Sequence, residues 1–234
     1  MKAAVTEIFA SIQGEGLYVG ERQIFVRFKD CNLKCDYCDT QPSTRLRRAG
    51  QASCQQILNK IKLLNTGKMH SVSITGGEPL LYTEFLEELI PLIKGLGLKV
   101  YLETNGTLPR ELAQIVNLLD YVAMDIKLPS SCGKALWQDH NIFLQILKNS
   151  SLQTGDYFVK IVLTSKTTLL EIRKAIELIG RIDRLIPLIL QPVTAIEKIK
   201  TVAAKHIFAY QEYAQRTLQN VKVIPQIHKI IGVR

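Results

Sequence analysis

Six short apolar runs, each followed by a helical pattern, limit the fold of this chain more than any other feature. The runs are Ile24–Phe28, Val72–Thr75, Lys99–Glu103, Tyr121–Ile126, Phe158–Leu163 and Leu185–Gln191. Several are apolar at nearly every position, as expected of strands covered on both faces of a parallel sheet. Helical segments follow at Ala52–Leu64, Thr83–Gly95, Arg110–Asn117, Leu136–Asn149, Leu169–Ile179 and Ala195–Gln219. From Thr83 the period is plain: Phe85, Leu86, Leu89, Ile90 and Ile93 share one stripe, and Glu84, Glu87 and Glu88 face away from it. The alternation predicts an α/β fold built on a parallel sheet. Six units curve into a partial (β/α)6 barrel, although the hydrophobic pattern alone leaves a flat doubly wound sheet open. With 47% apolar residues and no linker or repeat, residues 1–234 are expected to form a single domain.

In barrels of this kind the loops after the strand C-termini gather at one mouth and carry the chemistry. The unusual residues of this chain fall in those loops. Cys31, Cys35 and Cys38 follow the first strand, and Thr75-Gly-Gly-Glu-Pro79 follows the second. Glu103-Thr-Asn-Gly106 follows the third, Asp125-Ile126-Lys127 ends the fourth, and Gln191-Pro192-Val193-Thr194 ends the sixth.

The cysteine run is Cys31-Asn-Leu-Lys-Cys35-Asp-Tyr-Cys38, with no fourth cysteine close by. Four-iron clusters normally take four thiolates. Three leave one iron open, by the logic that gives a catalytic zinc its free position. A structural zinc or a redox pair are the alternatives, but zinc sites build from two pairs of ligands. His70, His140, His206 and His228 stand far from the loop and from each other. A disulfide is weaker still, since the N-terminus shows no secretory pattern and a cytoplasmic chain keeps its thiols reduced. Cys54 and Cys132 have no partner at ligand spacing and read as packed or incidental thiols.

The net charge of +9 raises the question of nucleic acid. Apart from Arg45, Arg47 and Arg48, however, the basic residues are spread along the chain, and no aromatic-basic signature accompanies them. The charge reads as a solvated surface that also steers an acidic redox protein or an anionic substrate. No apolar stretch is long enough for a bilayer; the greasiest, Leu185–Leu190, is short and broken by Pro187.

The three-cysteine loop followed by Gly76-Gly77-Glu78 resembles the radical S-adenosylmethionine (SAM) enzymes. Ser11-Ile-Gln-Gly-Glu-Gly16, Phe25-Val-Arg-Phe28 and Cys38-Asp-Thr40 narrow this, because together they resemble the 7-carboxy-7-deazaguanine synthases of queuosine and deazapurine biosynthesis. The similarity runs from residue 5 to Pro225-Gln-Ile-His-Lys229. It implies a ring-contracting lyase that takes 6-carboxy-5,6,7,8-tetrahydropterin to 7-carboxy-7-deazaguanine with loss of ammonia. It also implies a 4Fe–4S cluster on Cys31, Cys35 and Cys38, and SAM on the open iron. Short N-terminal and C-terminal extensions would bind the substrate, a flavodoxin-like or ferredoxin-like donor would supply the electron, and the chain would be a homodimer.

The residue roles follow the same resemblance. Tyr37, Cys38, Asp39, Gly77, Glu103, Asp125, Ile126, Lys127 and the turn Gln191, Pro192, Val193, Thr194 would hold SAM, with Asn105 a further candidate. Many relatives read Ser-Pro-Lys where this chain has Asp125-Ile126-Lys127. Thr40 matches a magnesium position that substrate oxygens must complete. Ile12, Gln13, Gly14, Arg27, Thr75 and Pro225 would bind the pterin, Glu15 and Gly16 extend its turn, and His228 would help close the pocket. Arg27 stands in an otherwise apolar strand and must be paired: either with a carboxylate such as Glu15 or Glu103, or with the substrate's own carboxylate. A glycyl-radical activating enzyme of the same superfamily, or a basic zinc-bearing RNA-binding module, remain as other readings of these residues.

Overall fold

The computed structural model describes residues 1–38, 50–195 and 200–233. Asp39, Thr40, Arg45, Arg47 and Arg48 lie outside them. The described strands are β1 (Lys2–Ile12), β2 (Arg22–Phe28), β3 (Gly50–Ser53), β4 (Ser71–Gly76), β5 (Val100–Thr104), β6 (Tyr121–Asp125), β7 (Tyr157–Leu163), β8 (Leu188–Pro192) and β9 (Val221–Val223). The helices are α1 (Cys54–Leu64), α2 (Thr83–Lys94), α3 (Pro109–Ile115), α4 (Pro129–Cys132), α5 (Trp137–Lys148), α6 (Leu169–Ile182), α7 (Ala204–Gln215) and α8 (Ile227–Ile231). The strands form one sheet in the order β3-β1-β2-β4-β5-β6-β7-β8-β9. From β2 to β9 every pairing is parallel, whereas β1 runs antiparallel to both β2 and β3.

Side chains alternate across a strand, so each strand has one face for the helices and one for the other side. Ile24, Val26, Phe28, Val72, Ile74, Val100, Leu102, Val122, Met124, Val159, Ile161, Leu163, Leu188 and Leu190 join the buried residues of α1, α2, α3, α5, α6 and α7 in one core. On the opposite face only the short α8 contributes among the described helices, through His228. There Tyr101, Tyr121, Ala123, Phe158 and Ile189 form a smaller cluster against Leu17, Tyr18 and Ile224. The six longer helices on one face decide between the two architectures: this is the partial barrel, and its edges at β3 and β9 do not close. Tyr18 plugs the strand N-terminal end, tilted against Tyr121 at 4.7 Å and edge-on to Tyr101 at 5.7 Å.

Two helices start on capping boxes, Ser53 with Gln56 before α1 and Thr168 with Glu171 before α6. Each box satisfies amides that a helix N-terminus leaves unpaired. Sequence reasoning missed β1, β3 and β9, the pieces that extend the sheet beyond the six expected strands. Two boundaries also move. The Leu185 amide donates to Asp183 Oδ1 in a turn, and β8 starts only after Pro187. The helix expected over Ala195–Gln219 is α7, Ala204–Gln215, because Thr201 bridges to Thr164 and Ala203 is extended. Among the described residues no helix is long and apolar enough to cross a membrane.

Leu86 on α2 is fully buried, whereas Glu87 beside it is exposed. Leu86→Ala should cost about 2–5 kcal/mol, and Glu87→Ala no more than about 0.5 kcal/mol. Urea denaturation midpoints measured at unchanged m-value test this contrast.

Candidate active site

The inner faces of the parallel strands line one cavity of about 690 Å³, a volume suited to small-molecule ligands. Phe25 and Arg27 of β2, Thr75 of β4, Tyr101 and Glu103 of β5, Ala123 and Asp125 of β6, Phe158, Lys160 and Val162 of β7, and Gln191 of β8 all face it. Cys31, Cys35, Tyr37, Cys38, Gly76, Gly77 and Asn105 come from the loops at the mouth, and Ile12, Gln13, Gly14, Glu15, Gly16, Gln226 and His228 from the two chain ends. Most residues expected at the site therefore share one space. Ile126 does not: its side chain packs in the core against the helices, although its amide donates to the Lys160 carbonyl at 2.9 Å. Pro192 is half-buried, Thr194 and Pro225 are exposed, and none of the three lines the cavity. Asp39 and Thr40 fall outside the described residues.

The cysteine loop is fastened from both sides. The Gly77 amide donates to the Phe28 carbonyl at 2.9 Å, and the Glu78 amide to that of Asp30 at 2.7 Å. A Cβ on Gly77 would lie 2.1 Å from the Asp30 carbonyl oxygen, so only glycine lets the two turns touch. On the other side the Asp36 amide donates to the Ser131 carbonyl, and Lys166 pairs with Asp36 at 2.6 Å. Tyr37 packs on Val162 and Val193, and its hydroxyl lies 3.1 Å from Lys127 Nζ.

These cysteines fit a cluster in chemistry and placement. Burial pushes the Cys35 thiol up to about 12 and also raises Cys31, with Lys127 opposing in both cases. Such thiols are neutral, poor nucleophiles, and a metal centre must displace their protons to bind. Each iron of a cluster takes one thiolate, so the sulfurs need not converge on a point as around zinc. Among the described residues no three Cys, His, Asp or Glu side chains do converge on a single-ion site.

Below the loop lies a buried chain of alternating charges. Lys127 Nζ is 2.8 Å from Asp125, Asp125 is 3.6 Å from Lys160 Nζ, and Lys160 is 2.5 Å from Glu15. Gln226 Nε2 donates to Glu15 at 2.8 Å. Burial would raise the Glu15 carboxyl, but the Lys160 charge and hydrogen bonds from Lys160, Gln226 and Gln191 hold it far below the usual carboxylate range. Burial would likewise lower Lys160, and Glu15 with Asp125 hold it above its usual range. Lys160 was missed from the sequence, although it is a lone charge in an apolar strand just as Arg27 is. The same test would have found it.

On β5, Glu103 accepts from Gln13 Nε2 at 2.8 Å, Ser73 Oγ at 3.0 Å and Thr75 Oγ1 at 3.0 Å. Arg27 is paired, but with Glu7 of β1 at 3.1 Å and not with Glu15 or Glu103. Glu7 stands opposite Arg27 in the β1–β2 register, a partner invisible while β1 went unrecognised. The guanidinium also lies over the Phe9 ring at 5.7 Å. His228 presses on Gly14, and the Ile227 amide donates to the Gly14 carbonyl at 2.9 Å.

Lys160→Met leaves Glu15 buried without its cation and should destabilise the protein by about 3–5 kcal/mol. Adding Glu15→Gln should restore part of that loss, read as coupling in a denaturation double-mutant cycle. Because Glu15 is depressed, the contribution of the pair is full above the unfolded value near 4.5 and fades as pH falls below it.

Comparison with known proteins agrees with this geometry. Residues 25–154 match the model of the Radical SAM superfamily. The 7-carboxy-7-deazaguanine synthase of Geobacter sulfurreducens is 39% identical over 98% of this chain and 97% of its own. That of Methanothermobacter thermautotrophicus is 36% identical over 100% and 99%. In fold, the chain is similar to the crystal structure of QueE from Escherichia coli, with a TM-score of 0.66 over 97% of this chain and 95% of that one, at 21% identity. A radical SAM methyltransferase from Sphaerobacter thermophilus shares the fold at a TM-score of 0.63 and 11% identity, over 88% of this chain and 66% of that one. With the cysteine loop, the Gly-Gly-Glu turn and near full-length identity above 30%, the chain belongs to the 7-carboxy-7-deazaguanine synthase family of the radical SAM superfamily.

Proposed function

We propose that this chain converts 6-carboxy-5,6,7,8-tetrahydropterin to 7-carboxy-7-deazaguanine with loss of ammonia, as a step of queuosine and deazapurine biosynthesis. The supporting observation is one cavity lined both by the three thiols and by an arginine among hydrogen-bonding groups. When bound, a 4Fe–4S cluster with SAM supplies a 5′-deoxyadenosyl radical able to remove a hydrogen from the pterin.

In this reading Cys31, Cys35 and Cys38 hold the cluster. Tyr37, Asp39, Gly77, Glu103, Asp125, Lys127, Gln191 and Val193 hold SAM, whereas Ile126, Pro192 and Thr194 stay outside the cavity lining. The buried Lys127–Asp125–Lys160–Glu15 chain balances two positive charges against two negative ones next to a polar ligand, and Asp125 keeps one oxygen, Oδ1, without a partner. Arg27 receives the substrate carboxylate through its planar fork, with Glu7 and Phe9 fixing its orientation. Ile12, Gln13, Gly14 and Thr75 meet the edge of the heterocycle, and His228 covers it. Mg²⁺ beside the substrate, with Thr40 among its ligands, a flavodoxin-like or ferredoxin-like electron donor and a homodimeric state complete the reading.

Anaerobic turnover of the carboxypterin with dithionite, SAM and Mg²⁺ tests it, and an intact cluster without product would reject the substrate assignment. Arg27→Ala should lower kcat/KM for the pterin roughly 10- to 100-fold, the value of a charge-assisted contact, while reductive SAM cleavage persists. Equal loss of both activities would remove Arg27 from the carboxylate site.

A further inference from the structure

Asn105 is nearly buried at the mouth of the cavity, and every polar group it owns has a partner. Its amide donates to Glu78 Oε2 at 2.7 Å, and its carbonyl oxygen lies 3.2 Å from His140 Nε2. The side-chain oxygen accepts from the Thr107 amide at 3.1 Å and from the Thr107 hydroxyl at 2.5 Å. A backbone N–H can only donate, so the oxygen must face Thr107 and the side-chain NH₂ must face the other way. There Nδ2 spends one hydrogen on Asn32 Oδ1 at 2.8 Å. The other points at Cys31 Sγ, 3.9 Å away. Asn32 in turn donates to the Thr107 hydroxyl at 2.8 Å, which closes the ring Asn105–Asn32–Thr107. The Leu33 amide also approaches Cys31 Sγ, at 3.5 Å.

We propose that Asn105 is a positioning residue for the cluster: its side-chain N–H, held against Cys31 Sγ, raises the reduction potential of the cluster bound there. The inference rests on the reading of Cys31, Cys35 and Cys38 as cluster ligands. Its physics is general. One-electron reduction by the external donor adds a negative charge that spreads over iron and sulfur. A hydrogen-bond donor on a ligating sulfur favours that more negative state, and such bonds are among the factors that set cluster potentials. The network around Asn105 holds the donor in place in both redox states, so it limits how negative the potential becomes and keeps the cluster within reach of its reductant.

The test uses anaerobically reconstituted holoenzyme of the wild type, Asn105→Ala and Asn105→Asp. Asp keeps the shape and the acceptor facing Thr107 but loses the donor; Ala loses the donor without adding charge. After iron and sulfide determination, each is titrated against dithionite at poised potential and followed by the electron paramagnetic resonance signal of the reduced cluster. Both variants should retain full iron and become harder to reduce, by about tenfold in the one-electron equilibrium, or about 59 mV. An unchanged or more positive potential in Asn105→Ala with an intact cluster overturns the proposal, even if Asn105→Asp shifts through its charge. Should the variants not hold a cluster, electron–nuclear double resonance on the reduced wild type decides. Labelling with ¹⁵N-asparagine should produce a coupling to one side-chain nitrogen, and its absence refutes the contact. A wild type without any iron–sulfur signal overturns the ligand assignment itself, an outcome distinct from an intact cluster at unchanged potential.

Discussion

A parallel strand in this sheet gives one face to the helices, so the charges in its middle must turn to the other and find a partner there. The helix-facing positions of β2 and β4 to β8 are apolar except at strand ends such as Arg22 and Thr104. The inner positions include Arg27, Glu103, Asp125 and Lys160. Buried charges without partners are too costly to keep, and the compensation comes largely from outside the parallel set. β1 supplies Glu7 to Arg27, and the turn after it supplies Glu15 to Lys160. The antiparallel edge is therefore what permits a charged interior. The same segment brings Gln13 and Gly14 to the cavity, so fold stability and the proposed substrate end depend on one stretch of chain.

The mouth is organised by a second constraint, close backbone contact between neighbouring loops. Gly77 lies against the Asp30 carbonyl, which sets the position of the cysteine loop. Glu78 then reaches the next loop, accepting from the Asn105 amide at 2.7 Å and from Thr104 Oγ1 at 2.8 Å. Burial lifts its carboxyl to about 7 against three donors, the third being the Leu80 amide. The motifs after β2, β4 and β5 thus form one hydrogen-bonded unit. An iron–sulfur cluster held there would need that rigidity, because ligand geometry and the surrounding donors control its electron affinity.

Much of this was legible in the sequence, and the reasons divide cleanly. Strands and helices with a strong local period were found within a few residues, and glycine turns placed the Gly76-Gly77 and Asn105-Gly106 loops correctly. β3 and β9 escaped because they are too short to carry a period. β1 escaped because a register shift between Val5 and Glu7 breaks its alternation, and only Ser11 and Ile12 of it fell in a motif. Partner choice was the other loss. Glu15 and Lys160 are 145 residues apart, and Gln226 and Glu15 are 211 apart. No local pattern encodes such pairs; only the rule that a lone charge in an apolar strand must be matched announces that a partner exists. Applied to Arg27, that rule was right about pairing, and the internal partner is Glu7 instead of Glu15 or Glu103.

The pairing of the chain ends follows from the same demand. Gln226 satisfies Glu15 with its amide nitrogen and takes the Thr194 amide on its oxygen, so one residue ties the first loop to the last strand of the expected six. Once that link is made, His228 sits directly on Gly14, where a Cβ would come within 2.3 Å of the imidazole. The glycine in the Ile12-Gln13-Gly14 turn is thereby explained without any ligand: it is the space the C-terminal segment needs to close over the cavity. A larger residue there would push that segment outward, and Gln226 would leave Glu15 with one donor fewer. The cost would then pass down the Lys160–Asp125–Lys127 chain toward the cysteine loop, joining the two ends of the site through charge alone.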